Sequence, residues 1–179
     1  MDSPISLFLL SHPKIQNDVF IRNYIHDFPL LDDLQFSKVE VTPLIFHHND
    51  DKTVFNIWYP IGGDYHAILK SKPMKLLYQS LDAIVLIYNS NDAQTFSILL
   101  EYYSIISDFI TNSHIKGSFI LFGNNSPINA KMEEKVSPQD ISLFISDLKN
   151  LTDKKIIEIN GNLYEKENTD EIFLTLLKD

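Results

Sequence analysis

Short apolar runs alternate along the chain with stretches whose apolar residues recur at helical spacing. Ile5–Leu10 (ISLFLL) is a compact run suited to a buried strand. Asn17 or Asp18 can then cap a helix in which Val19, Phe20, Tyr24 and Ile25 keep helical spacing, ending before Pro29. Val39–His47 and Thr53–Trp58 read as two strands joined by the turn Asn49-Asp50-Asp51-Lys52, a hairpin pattern. Leu81–Tyr88 (LDAIVLIY) is a continuous apolar run, the kind buried on both faces of a parallel sheet.

The second half continues the alternation. Asn91 can cap a helix from about Asp92 to Ile110, with Gln94 completing a capping box. Ser118–Phe122 is the next strand. Ser137, followed by Pro138 and then Asp140, opens a helix running to about Lys149. Lys155–Ile159 is a further strand, and Asn168, with Glu171 after it, can cap a last helix ending at Leu177. Helical crossovers of this length predict a three-layer α/β sandwich, with a six-stranded, mostly parallel sheet and one antiparallel hairpin strand. A length of 179 residues suits one domain spanning 1–179.

Composition narrows the chemistry. The chain has no cysteine, which excludes disulfides, thiolate metal sites, cysteine nucleophiles and cysteine-linked lipids. A formal charge of −9 and a pI near 5.0 argue against nucleic acid as the main partner. The lysines at 70, 72 and 75 and at 131 and 135 read as solvated surface. No apolar run approaches the roughly 18 residues of a bilayer span, and Ile5–Leu10 has no basic residues before it, unlike a signal peptide. A cytoplasmic protein is expected.

One segment goes beyond fold class. Phe55–Phe96 contains the order Ile57-Trp58, Gly62-Gly63, Leu77-Tyr78, Ile84-Val85-Leu86-Ile87-Tyr88 and Asn91-x-x-x-x-Phe96. It resembles the centre of Rab and related Ras-superfamily small GTPases, where Ile-Trp precedes Asp-Thr-Ala-Gly-Gln and a switch helix ends in Tyr-Tyr. Ile120–Asn124 resembles the strand leading into the guanine-reading Asn-Lys-x-Asp, and Ile156–Leu177 resembles the closing segment and final helix. The resemblance covers nearly the whole chain and implies a P-loop, small-GTPase-like fold.

The residues that would hold nucleotide depart from that pattern. A P-loop needs glycines so that backbone N–H groups curl around phosphate, a lysine for charge and a hydroxyl for magnesium. The loop Ser11–Asp18 has no glycine, and the lysine and hydroxyl positions hold Asn17 and Asp18. A carboxylate there caps a helix but repels phosphate. The magnesium-linked Asp corresponds to Tyr59. The motif glycine survives as Gly62, the water-orienting Gln is replaced by Gly63, and the first-switch Thr falls on Phe36. Asn124 is kept, but Asn125 and Pro127 replace the lysine and the base-reading Asp, and Asn160-Gly161-Asn162 replaces Ser-Ala-Lys. These positions are a degenerate nucleotide site, and no cofactor, metal or catalysis is expected.

The resemblance implies a different use. In Rab-like proteins a strand residue, the Trp and a switch-helix residue form a patch for partners, and these map to Val41, Trp58 and Leu77, with Tyr78 adjacent. Tyr59, Ile61 and Tyr65 are further candidate anchors, since aromatic and large apolar residues dominate interfaces. Degenerate members of the superfamily act in clathrin-adaptor regulation, kinetochore assembly and motor complexes. The opening Leu10-Ser11-His12-Pro13 resembles the adaptor-regulating kind and points to vesicle trafficking. The expectation is a pseudoGTPase that binds one or more proteins, not nucleic acid. The sequence ends in Lys178-Asp179, without the prenylated tail of the family, so no direct membrane anchor is expected. The alternative is a switch that binds nucleotide in an unorthodox way. The six histidines, with His47 and His48 pointing to opposite faces of a strand, read as surface or packing residues.

Overall fold

Strands form where β-branched and aromatic residues run without interruption, because both sides of a covered sheet reward apolar side chains. The computed structural model describes residues 3–12, 15, 20, 39–62, 64–112, 118–126 and 134–178. Six strands lie in one sheet: β1 (Ile5–Ser11), β2 (Val39–His48), β3 (Asp51–Pro60), β4 (Ala83–Asn89), β5 (Phe119–Asn124) and β6 (Ile156–Gly161). Their order is β2-β3-β1-β4-β5-β6, and every adjacent pair is parallel except β2–β3. The expected mixed sheet with one antiparallel pair is the one observed.

Helices cover both faces. After β3 come two short helices, α1 (Tyr65–Leu69) and α2 (Lys72–Tyr78), where the resemblance implies a single switch helix. They are followed by α3 (Ala93–Asn112), α4 (Pro138–Leu151) and α5 (Lys166–Leu176). Residues Phe8 and Leu10 of β1 join the core under α1–α4, while Leu7 and Leu9 join the core under α5. Each strand residue thus has a helix layer to meet. That is why the run reads as continuously apolar rather than alternating. The first helix expected from Asn17 or Asp18 lies outside the described residues, apart from Phe20. Phe20 is helical and fully buried, its ring centroid 5.5 Å from that of Phe173.

The structure moves three boundaries. The hairpin turn is tighter than expected: His48 pairs with Asp51, leaving only Asn49 and Asp50, and Asn49 takes a left-handed φ of 54° that asparagine tolerates. The residue capping α3 is Asp92 rather than Asn91. Its Oδ1 accepts from the Gln94 N–H at 3.0 Å, while the Asn91 N–H donates back to Asn89 Oδ1 at 2.9 Å. The last helix begins at Lys166, so Asn168 is inside its first turn and is not its cap. Its Nδ2 reaches back to the Asn162 carbonyl at 3.3 Å and Glu165 Oε2 at 2.9 Å. The Asn168 side chain occupies the space where a Cβ on residue 161 would sit, its nearest atom 2.7 Å away, so Gly161 lets the loop and helix close up. The Ser137 cap of α4 is as expected, its Oγ accepting from the Asp140 N–H at 3.1 Å.

Candidate functional site

In an open α/β sheet the ligand crevice lies outside the carboxyl ends of the strands, where the chain reverses its direction of travel across the sheet. Here that reversal falls between β1, which leads to β2 and β3 on one side, and β4, which leads to β5 and β6 on the other. Because β1, β3, β5 and β6 run parallel to β4, their carboxyl ends, after each of which the resemblance would set a nucleotide motif, all lie at this end.

Three polar side chains there, those of Ser11, Thr95 and Asn124, are occupied in joining loops to one another. Ser11 is fully buried and its Oγ donates to the His12 and Ile15 carbonyls at 3.3 and 3.5 Å. The Thr95 hydroxyl accepts from the Asn89 N–H at 3.0 Å and donates to the Asp92 carbonyl at 2.7 Å, which ties the end of β4 to the start of α3. Asn124, which the resemblance aligns with the guanine-reading Asn, is buried, and its Oδ1 accepts from the Ser126 and Leu163 N–H groups, both at 3.2 Å. It therefore fastens the β5 loop to the β6 loop. The exposed Asn125 adds a backbone bond from its N–H to the Gly161 carbonyl at 2.9 Å. Asn17, Asp18, Phe36, Gly63 and Pro127 lie outside the described residues. Gly62 has a left-handed φ of 57° and open space around its Cα, a conformation that favours glycine over any side chain.

Two contacts at this end were not read from the sequence. One is the Asn89–Asp92–Thr95 network, for which an Asp directly before a helix is the available signal. The other is the close approach at Gly123, signalled by a glycine inside a strand run. A Cβ there would lie 2.2 Å from Asn160 Oδ1, 2.8 Å from Tyr88 Oη and 3.0 Å from Ser90 Oγ. The Asn160 side chain is exposed and can move, but Tyr88 is fully buried. Gly123→Ala is therefore expected to destabilise by about 1–3 kcal/mol through overpacking, read as a lower denaturant midpoint with an unchanged slope. An unaltered midpoint would show that Tyr88 gives way freely.

The candidate docking residues divide between the two faces of the β2–β3 hairpin, because successive strand residues point oppositely. Tyr59 is buried toward α5, and its hydroxyl donates to the Glu40 carboxylate and lies 3.3 Å from Thr42 Oγ1. Ile61 packs at that same core. Tyr65 is buried beside Tyr102, with ring centroids 5.5 Å apart, and its hydroxyl donates to the Pro60 carbonyl at 3.0 Å. Burial, and then Tyr102, push its pKa up to about 12. Tyr78 is fully buried, edge-on to Phe8, and its hydroxyl donates to the Leu69 carbonyl at 3.2 Å. These three tyrosines hold the fold from within, and the accessible members of the set are Val41, Trp58, Ile61 and Leu77.

Val41, Trp58 and Leu77 are brought to one face. Val41 pairs with Trp58 across the hairpin, Trp58 pairs with Phe8 of β1, and Trp58 and Leu77 pack against the same core. The same face of the hairpin carries the exposed pair Ile45 and Val54, 38% and 37% accessible, and Leu76 stands 61% accessible on α2. The opposite face, with Leu44, Phe46, Phe55 and Ile57, is buried. His47 and His48 are exposed at the hairpin tip, opposite Lys52 and Asp51, and His66 Nε2 lies 3.3 Å from Glu101 Oε1. Among the described residues no group of His, Cys, Asp and Glu is placed to hold a metal ion, and no helix is long and apolar enough to cross a membrane. No family model matches the chain, and no curated protein matches it.

Proposed function

We propose that this chain is a pseudoGTPase, a small-GTPase-like domain that needs no nucleotide and docks a protein partner through the open face of its β2–β3 hairpin. The observation that carries the reading is the contrast between the hairpin's faces. One is closed by α5, while the other leaves Pro43, Ile45 and Val54 exposed and Val41 and Trp58 partly accessible. Exposed apolar residues gathered on one face are a mark of interaction sites. The crevice at the carboxyl ends supports the same reading: the side chains of Ser11, Thr95 and Asn124 there are bonded to the chain itself, and the sequence supplies no glycine loop to receive phosphate. The resemblance at Leu10–Pro13 makes vesicle trafficking the proposed setting.

The test is a paired surface substitution, Ile45→Glu with Val54→Lys. Opposite charges directly across the hairpin keep the strands paired while removing the apolar surface. Partner capture from the native cell is expected to fall about tenfold or more, a loss of at least about 1.4 kcal/mol, with no change in melting temperature. Trp58, the chain's single tryptophan, provides a second readout, since its emission should shift when the partner is added to the wild type. Undiminished capture by the folded variant would sink the proposed surface. Calorimetric titration with GTP, GDP and ATP, with and without magnesium, is expected to give no binding. Micromolar affinity for any of them would instead establish the unorthodox nucleotide switch.

A further inference from the structure

β2 ends the sheet and is ten residues long, so among the described residues one side of its backbone has no neighbouring strand. Such an edge is a template on which another chain can add a strand. Its sequence invites this: Val39, Val41 and Leu44-Ile45-Phe46 all favour strand. We propose that Pro43 guards this edge, keeping a second copy of the chain from joining its sheet to this one through β2.

The register supports the assignment. A two-residue turn makes His48–Asp51 the first hydrogen-bonded pair of the hairpin, and antiparallel pairs then alternate. Thr42, Leu44 and Phe46 accordingly direct their N–H groups at β3, while Val41, residue 43, Ile45 and His47 direct their backbone groups outward. Proline has no N–H, so at residue 43 it costs the β2–β3 ladder nothing and takes a donor from the open edge. A second copy pairing antiparallel about the middle of β2 would set Val41 against Ile45 of the second copy, with the two prolines meeting on the two-fold axis. Both donors would be missing at the centre, and the fixed proline φ departs from that of an extended strand. The same substitution of backbone chemistry leaves the side chains of the open face untouched, so guarding the edge does not obstruct docking on the face.

The experiment compares the wild-type chain with Pro43→Thr, which restores an N–H on a strand-favouring residue, by light scattering across a wide concentration range. The wild type is expected at 20.7 kDa throughout. Pro43→Thr is expected to approach twice that mass as concentration rises, with association tightened by about tenfold or more. Adding Ile45→Lys, a charge of the kind that blunts edges, should return it to monomer. Hydrogen exchange on the wild type is the second measurement: the Val41 and Ile45 amides should exchange fast and those of Thr42, Leu44 and Phe46 slowly. A folded Pro43→Thr that stays monomeric would overturn the proposal. So would a wild type that dimerises, or protected Val41 and Ile45 amides, which would mean that the edge is already covered. If Pro43→Thr does not fold, the wild-type exchange pattern and mass decide the matter.

Discussion

Phe173→Ala is expected to lower stability by about 3–5 kcal/mol, the range for truncating a buried phenylalanine. Phe173 is fully buried on α5, with ring centroids 5.5 Å from Phe20, 5.1 Å from Phe46 and 4.7 Å from Phe55. It is the point where the last helix, both strands of the hairpin and the segment after β1 meet. Few neighbours can move into the space it would leave, because Phe46 and Phe55 are held in paired strands. Against a typical total of about 5–15 kcal/mol, the loss is large. For a chain of this size it corresponds to a fall in melting temperature of roughly 6–20 °C. A loss under about 1 kcal/mol would mean that α5 contributes little to holding the hairpin.

Raising the pH should unfold the protein in a defined window. Burial pushes Tyr65, Tyr88 and Tyr103 up to about 12, assisted by Tyr102, Glu158 and Asp147 respectively, and burial raises Tyr78 as well. In the unfolded chain these phenols return to their ordinary value of 10.0. The folded state therefore keeps protons that the unfolded state releases. The resulting stabilisation is intact below pH 10 and is lost as pH rises toward and through about 12. Phenolate absorbance and loss of circular dichroism are expected to rise together in that window, with stability little affected by these groups below it. If most tyrosines ionised near their ordinary value while the fold persisted, their burial would be in doubt. Tyr103→Phe removes one contributor. Because the Tyr103 hydroxyl is buried without a hydrogen-bond partner among the described residues, stability at neutral pH should be unchanged or raised.

The layered α/β architecture is legible in the sequence because both faces of the central strands are covered. That coverage produces runs such as Ala83–Tyr88 with no polar interruption, and a chain of such runs with helical crossovers admits few arrangements. The Ser137-Pro138 helix start is legible for a local reason: the cap bond to Asp140 spans only three residues. Where two neighbours can each cap, as Asn91 and Asp92 can, the sequence leaves them equal. The path of the turn after β4, fixed by Thr95, separates them.

The positions that the resemblance aligns with nucleotide motifs are likewise a matter of residue identity, since no fold can supply a missing lysine or glycine. What those positions do instead is tertiary. Asn124 reads as a remnant of base recognition, yet its oxygen is held by Leu163, 39 residues away in sequence. The candidate docking residues divide for the same reason. A sequence marks Tyr59, Tyr65 and Trp58 alike as strong anchors. Only the fold brings the Glu40 carboxylate to one hydroxyl and the Pro60 carbonyl to another, which makes burial of those tyrosines affordable. Trp58, one residue from Tyr59, is turned by the pleat to the face that no described helix fully covers. Sequence determines which side chains are capable of binding, and strand register, set over distances the local pattern does not reach, decides which of them meet solvent.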